Sequence, residues 1–301
     1  VLLGILPCFF EAAAVTLAAR FLFGLPWHSS MLLGFILGAV SPAVVIPSMI
    51  GLRDKKLGGD IPSLVLSGAS LDVVTALAVI TLLLQKNSAT GWSAAAALPV
   101  SVIGGILAGV LLGGVLVFVF RRFGDHIRTT EKAVLALGGA LLLIEVGNWT
   151  GTAALIGVMS AGFMLLEFHP EAAKDLSLKL SKAWVPAEIV LFVLIGLSAN
   201  PTMLIQAGLT GLLVIICGLV VRMVVVFLVL SGSSLSPRER LFCSIANIPK
   251  ATVQPAMGAA PLAAGVPGGE IILAVAVAAI VLTAPAGLLL IRRSESLIAE
   301  G

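Results

Sequence analysis

Charge is scarce in this chain. Only 11% of its 301 residues are Asp, Glu, Lys or Arg, against 59% hydrophobic, and the mean hydropathy is +1.16. Such a composition excludes an ordinary soluble domain, and no stretch between the apolar runs is long enough to hold one. Cysteine is nearly absent. Cys8, Cys217 and Cys243 all lie in apolar stretches, which excludes a disulfide framework or metal motif and leaves free thiols buried in helices. Histidine is equally rare: His28, His126 and His169 fall in loops or at span ends, so an intramembrane histidine relay has no basis. They read as solvated loop residues, with a pH-sensing role for one of them left open. No nucleophile–base pair, ligand cluster or glycine-rich phosphate loop is present, so neither an enzyme nor a cofactor is expected. The net charge of +3 does not point to nucleic acid, because the basic residues sit in short loops. Val1 opens inside an apolar run, without Met or signal peptide, and a missing natural N-terminus is expected.

What is abundant is apolar runs of membrane-crossing length. A span needs roughly 20 residues, and ten candidates stand near 2–23, 29–50, 61–85, 94–120, 132–147, 150–167, 184–200, 207–230, 240–262 and 268–291. If they alternate, 14 Lys and Arg, at 53–56, 121–132, 174–182, 238–240 and 292–293, collect on one side. Arg20 and Lys86 alone fall on the other. A miscounted span would invert every later loop, so this asymmetry supports ten. The positive-inside rule assigns the basic loops and both ends to the cytoplasm of a bacterial-type inner or plasma membrane. Glu171 to Lys182, charged at helical spacing, reads as lying along the cytoplasmic interface.

Two spans carry proline pairs in mirrored positions, Ser41-Pro42-Ala43-Val44-Val45-Ile46-Pro47 and Ile248-Pro249-Lys250-Ala251-Thr252-Val253-Gln254-Pro255. Proline removes an N–H and clashes with the preceding turn, so unwound backbone is expected at Pro42–Pro47 and Pro249–Pro255. In lipid such backbone survives only inside protein or beside a watery cavity. Two broken helices in corresponding places mark the binding site of a secondary transporter built from inverted repeats.

Charges inside spans sharpen that reading, since each costs about 2.5–3.5 kcal/mol at the bilayer centre. Asp72, in the span after the first break, can hold a dehydrated cation or a proton; competition between them would make an exchanger. The bland alternative is a polar residue satisfied between helices. Arg222 precedes the second break as Glu11 precedes the first, and the symmetry pairs them, structurally or as a gate. Arginine stays protonated, a poor proton carrier and a good fixed partner. Lys250, within the second break, reads as compensating the open carbonyl ends of half-helices, with proton shuttling as the alternative. Ser41 can stabilise helix ends or ligate the ion, and Asn247, Thr252 and Gln254 are further candidates. Glu145, Glu167 and Glu188 lie away from both breaks, without an assigned role. Gly104, Gly105, Gly109, Gly113 and Gly114 read as close helix packing.

Leu6-Pro7-Cys8-Phe9-Phe10-Glu11-Ala12, Gly24-Leu25-Pro26-Trp27 and Gly38-Ala39-Val40-Ser41-Pro42-Ala43-Val44-Val45-Ile46-Pro47-Ser48-Met49 resemble the NHA branch of the cation/proton antiporter superfamily. So do Ile248-Pro249-Lys250-Ala251-Thr252-Val253-Gln254 and Leu282-Thr283-Ala284-Pro285. The resemblance covers nearly the whole chain. It implies an all-α, inverted-repeat membrane fold whose core holds two crossed, partly unwound helices beside a dimerisation domain. It implies exchange of sodium or lithium for protons by an elevator-like movement, with the ion-binding aspartate at Asp72, the core arginine at Arg222 and its glutamate at Glu11. It also implies that at least two helices precede these ten spans. Related members commonly carry two adjacent aspartates, and here the first position is Leu71. Coordination then leans on Ser70, Ser41 or water.

The expectation is therefore a Na+ or Li+/proton antiporter with a core at 1–85 and 207–293 and a dimerisation-type domain at 94–205. Its substrates are a monovalent cation and a proton, and its surroundings a lipid bilayer and a second copy in a homodimer. Asp72, as the only acid close to the crossing in this reading, would alternate between cation and proton in an electroneutral cycle. Potassium/proton exchange, sodium-coupled organic anion symport and a non-transporting scaffold or sensor are the alternatives. The Val- and Ala-rich crossing favours a small ion over an organic anion.

Overall fold

A computed structural model describes residues 2–84, 92–124, 126–198 and 201–298, and among them all regular structure is helical. The order is α1 (Leu2–Leu22), α2 (Trp27–Gly38), α3 (Pro42–Asp54), α4 (Ile61–Leu84), α5 (Trp92–Phe123), α6 (Thr129–Thr150), α7 (Ala154–Phe168) and α8 (Pro170–Ser198). Then come α9 (Pro201–Val229), α10 (Pro237–Ala246), α11 (Val253–Ala263) and α12 (Gly269–Arg293). Stretches 2–22, 61–84, 99–123, 208–232 and 269–293 are long and apolar enough to cross a membrane. Two of the ten expected spans are each divided in two, 29–50 into α2 and α3 and 240–262 into α10 and α11, which accounts for twelve helices.

The breaks do not sit where the proline pairs led us to expect. The first is Ala39 to Ser41 and the second Asn247 to Thr252. Pro42 opens α3, and Pro255 lies in the first turn of α11. At a helix start the N–H has no intrahelical acceptor, so proline costs nothing there and its fixed φ suits the turn. Pro47 is carried inside α3, and only Pro249 lies in unwound chain. A second difference concerns 171–182, which is no separate interfacial element: α8 runs unbroken from Pro170 through Ser198. Lys86 and the side chain of Glu188 lie outside the described residues.

The chain divides into two compact units, residues 1–76 with 191–301, and residues 77–190. In the first, α1 packs on α2 and α9, and α12 packs on α9, α10 and α11. Gly34 makes the first approach close, since a Cβ there would collide with Ala12 O and Thr16 Oγ1. A core that includes Val40, Val45, Met49, Leu52, Val65, Val226 and Phe242 packs the unit together.

In the second unit α5 packs along α7. Gly105, Gly109 and Gly113, one turn apart, lie against Ala153, Gly157 and Ala161. Small residues allow this where apolar burial drives little association in lipid. Gly104 faces Thr152, while Gly114 faces open space. Gly151 ends α6 with φ 70°, a left-handed turn that glycine adopts without strain.

Candidate functional site

The first unit brings the two breaks into direct contact. Ser41 N–H donates to Pro249 O at 3.0 Å, Thr252 N–H donates to Ser41 Oγ at 3.2 Å, and the two hydroxyls are 3.4 Å apart. Close packing at two glycines sets the neighbouring helices. Gly287 of α12 meets Pro249, which lets Lys250 N–H donate to Thr283 Oγ1 one turn earlier, at 2.9 Å. Gly218 of α9 meets Val15 and Glu11, so α9 approaches α1 where Arg222, one turn on, faces inward.

Around the crossing lie four charged side chains, all essentially inaccessible: Glu11 at 1%, Asp72 at 0%, Arg222 at 0% and Lys250 at 1%. Arg222 Nη1 donates to Glu11 Oε2 and Arg222 Nη2 to Asp72 Oδ1, each at 2.7 Å. Lys250 Nζ donates to the same Glu11 Oε2 at 2.8 Å. The Val40 N–H donates to Asp72 Oδ2 at 2.7 Å, and Arg222 Nη1 also reaches Gly38 O at 2.7 Å. Two acids and two bases thus form one neutral network. That is the arrangement in which buried charge is tolerated, because removing one partner strands another.

This corrects three expectations. Asp72 is not the only acid at the crossing, since Arg222 ties it to Glu11. The guanidinium is forked, so it serves two carboxylates where a point charge would serve one. Lys250 is bonded to Glu11, and the open carbonyls at the end of α2 are met instead by Arg222 at Gly38 O and by Gln254 Nε2 at Ile36 O and Ala39 O. Ser70 is exposed and donates to Leu66 O of its own helix, since two residues along an α-helix turn it away from the side that Asp72 occupies. Of the lesser candidates, Asn247 Nδ2 donates to Cys243 O and closes the end of α10. Glu145 and Glu167 are exposed.

Sequence reasoning missed Thr283 and the Val40 N–H. Thr283 stood in a run noted only for resemblance; the available signal was a buried hydroxyl opposite a break whose N–H groups needed acceptors. Among the described residues no group of three His, Cys, Asp or Glu could hold a metal ion. A cavity of about 580 Å³ in the second unit is lined by Leu112, Leu116, Val158, Leu165 and other uncharged side chains. It offers nothing to a small cation.

Two interrupted helices meeting over buried charges are the arrangement that marks binding sites in secondary transporters. Comparison with known proteins gives the class: residues 1–292 match the family described as sodium/hydrogen exchanger, transmembrane, and the chain belongs to it. It is 32% identical to sodium/hydrogen exchanger 9B2 of Mus musculus over 95% of this chain and 55% of that protein. To sodium/hydrogen exchanger 9B1 of Homo sapiens it is 31% identical, over 96% and 58%. The chain thus spans about half the length of the curated relatives it matches. Its fold is that of the sodium proton antiporter MjNhaP1 from Methanocaldococcus jannaschii, with a TM-score of 0.76 at 20% identity over 98% of this chain and 77% of that one.

Proposed function

We propose that this chain forms the ion-translocating part of an antiporter that exchanges Na+ or Li+ for protons, electroneutrally and by alternating access, with Asp72 as the cation-binding carboxylate. The observation that carries the reading is the neutral network of Glu11, Asp72, Arg222 and Lys250 beneath the crossed breaks. A cation arriving at Asp72 adds one positive charge to a buried, formally balanced cluster. Burying an uncompensated charge costs several kcal/mol, so a proton must leave. Arg222 cannot release one, and in the balanced cluster both carboxylates are already ionised, which leaves the Lys250 ammonium as the carrier. When Lys250 gives it up, one cation replaces one proton. The Val40 N–H steadies the ionised Asp72 before the cation arrives, and the carbonyls at the end of α2 add the backbone dipoles that half-helix ends contribute to cation sites.

On this reading the first unit carries the ion, the second is the dimerisation-type domain of a homodimer, and the basic loops face the cytoplasm. The test is the full-length protein in proteoliposomes, with a pH-sensitive dye reporting proton movement as Na+, Li+ or K+ is added. Dequenching by Na+ or Li+ that vanishes in Asp72→Asn supports the proposal. Dequenching by K+ alone, or a response indifferent to Asp72, contradicts it.

A further inference from the structure

The end of α2 is unusual in how its hydrogen bonds are shared out. In a continuing helix the Ile36 carbonyl would accept from Val40 N–H. Here Ala39 adopts ψ 135°, which turns that N–H out of the helix and onto Asp72 Oδ2 at 2.7 Å. The place it leaves is taken from the first turn of α11: Gln254 Nε2 donates to Ile36 O at 3.2 Å and to Ala39 O at 2.6 Å. The peptide joining Ala39 to Val40 is therefore held at both ends, its carbonyl by Gln254 and its N–H by Asp72.

The orientation of the Gln254 amide is dictated chemically, because the flipped form would set its oxygen against two carbonyl oxygens. That leaves Gln254 Oε1 buried without a partner, in a side chain with 0% exposure. An orphaned buried acceptor is costly, and it persists here because the donor end of the amide is committed to the end of α2.

We propose that Gln254 is a positioning residue that holds α2 one residue short, and that it competes with the cargo cation through this peptide. When Asp72 takes the cation, Val40 N–H returns to Ile36 O, α2 gains a residue, and Gln254 is displaced from the carbonyl it was covering. Occupancy at Asp72 is thereby transmitted to α11, which carries Gln254. The inference rests on the antiporter reading for its cation and on geometry alone for the coupling between Gln254 and Asp72.

Gln254→Met keeps the length of the side chain and removes both donors, so Val40 N–H returns to the helix more readily and Asp72 is freed for the cation. In the full-length protein the apparent KM for Na+ or Li+ then falls by about two- to tenfold, the equivalent of one hydrogen bond, and the maximal rate falls with slower release. Gln254→Asn keeps the amide but is one carbon short. It shifts KM the same way and carries the test should the Met variant not accumulate. A side chain that merely packs would lower yield or maximal rate with KM unchanged. The second arm needs no transport: thermal unfolding of Gln254→Met, Asp72→Asn and the double variant in detergent without added cation. Residues acting through one peptide give non-additive effects. Additive unfolding effects, or a KM that stays or rises, overturn the inference. A parent protein without exchange contradicts the antiporter reading, while the unfolding cycle still decides the coupling.

Discussion

In residues 77–190 the one fully buried polar side chain among those described is Ser101, whose Oγ donates to Gly151 O. Residues 1–76 with 191–301 bury two acids, two bases, an amide at each side of the second break and the hydroxyls of Ser41 and Thr283. The helices of both units are comparably apolar, so hydropathy alone does not tell them apart. The difference is what each is built to hide. The second unit is closed by Gly105, Gly109 and Gly113 against α7, in contacts that depend on the missing side chain and on no charge, since a Cβ at each would run into the facing chain. The first is closed around a network in which every charge depends on a named partner. Groups whose loss of a partner is energetically consequential suit a site that binds and releases an ion, and among the described residues only the first unit buries them.

Perturbations should therefore fall unequally on the two units. The largest effect is on transport: Asp72→Asn abolishes cation-driven proton movement in proteoliposomes yet keeps the shape of the side chain, so the protein still elutes as a folded species. Glu145→Gln in the second unit, at an exposed position, leaves exchange at the parental rate. Next comes stability. Arg222→Met strands Glu11 and Asp72 with a single remaining lysine and costs about 3–5 kcal/mol of unfolding free energy in detergent. Gly109→Leu inverts the pattern. A side chain there runs into the Gly157 backbone, which costs about 1–3 kcal/mol by overpacking, while the apparent KM for the cation stays at the parental value. The smallest effect belongs to Thr283→Val, which removes the acceptor of Lys250 N–H and destabilises by about 1 kcal/mol. If Gly109→Leu altered cation affinity as strongly as substitutions at the crossing, the division of labour between the units would fail.

Much of this was legible in the residues. Spans of apolar residues, two proline-bearing interruptions and a handful of charges at membrane depth lead to an all-helical membrane fold and to Glu11, Asp72, Arg222 and Lys250, which the structure brings together. Where the reading slipped, the cause was geometric. Proline marks the neighbourhood of a break but prefers the first turn after it, so the unwound chain lies just before Pro42 and Pro255. Pairing by symmetry matched Arg222 with Glu11 and missed that a forked guanidinium also reaches Asp72. Lys250 was assigned to helix carbonyls because it sits in the break, yet its long stem carries the ammonium to Glu11. The bond from Val40 N–H to Asp72 could not be read at all, since it depends on the ψ of Ala39 and not on any side chain.

The central claim is that a neutral cluster of two acids and two bases exchanges one cation for one proton, and imposing a membrane potential on proteoliposomes of the full-length protein tests it most directly. With potassium and valinomycin setting the voltage and an inward Na+ gradient driving exchange, the account predicts an initial rate nearly unchanged in sign and size when the potential is reversed. A rate that rises with one polarity and falls with the other would show net charge moving in each cycle, and would contradict one-for-one exchange at this cluster.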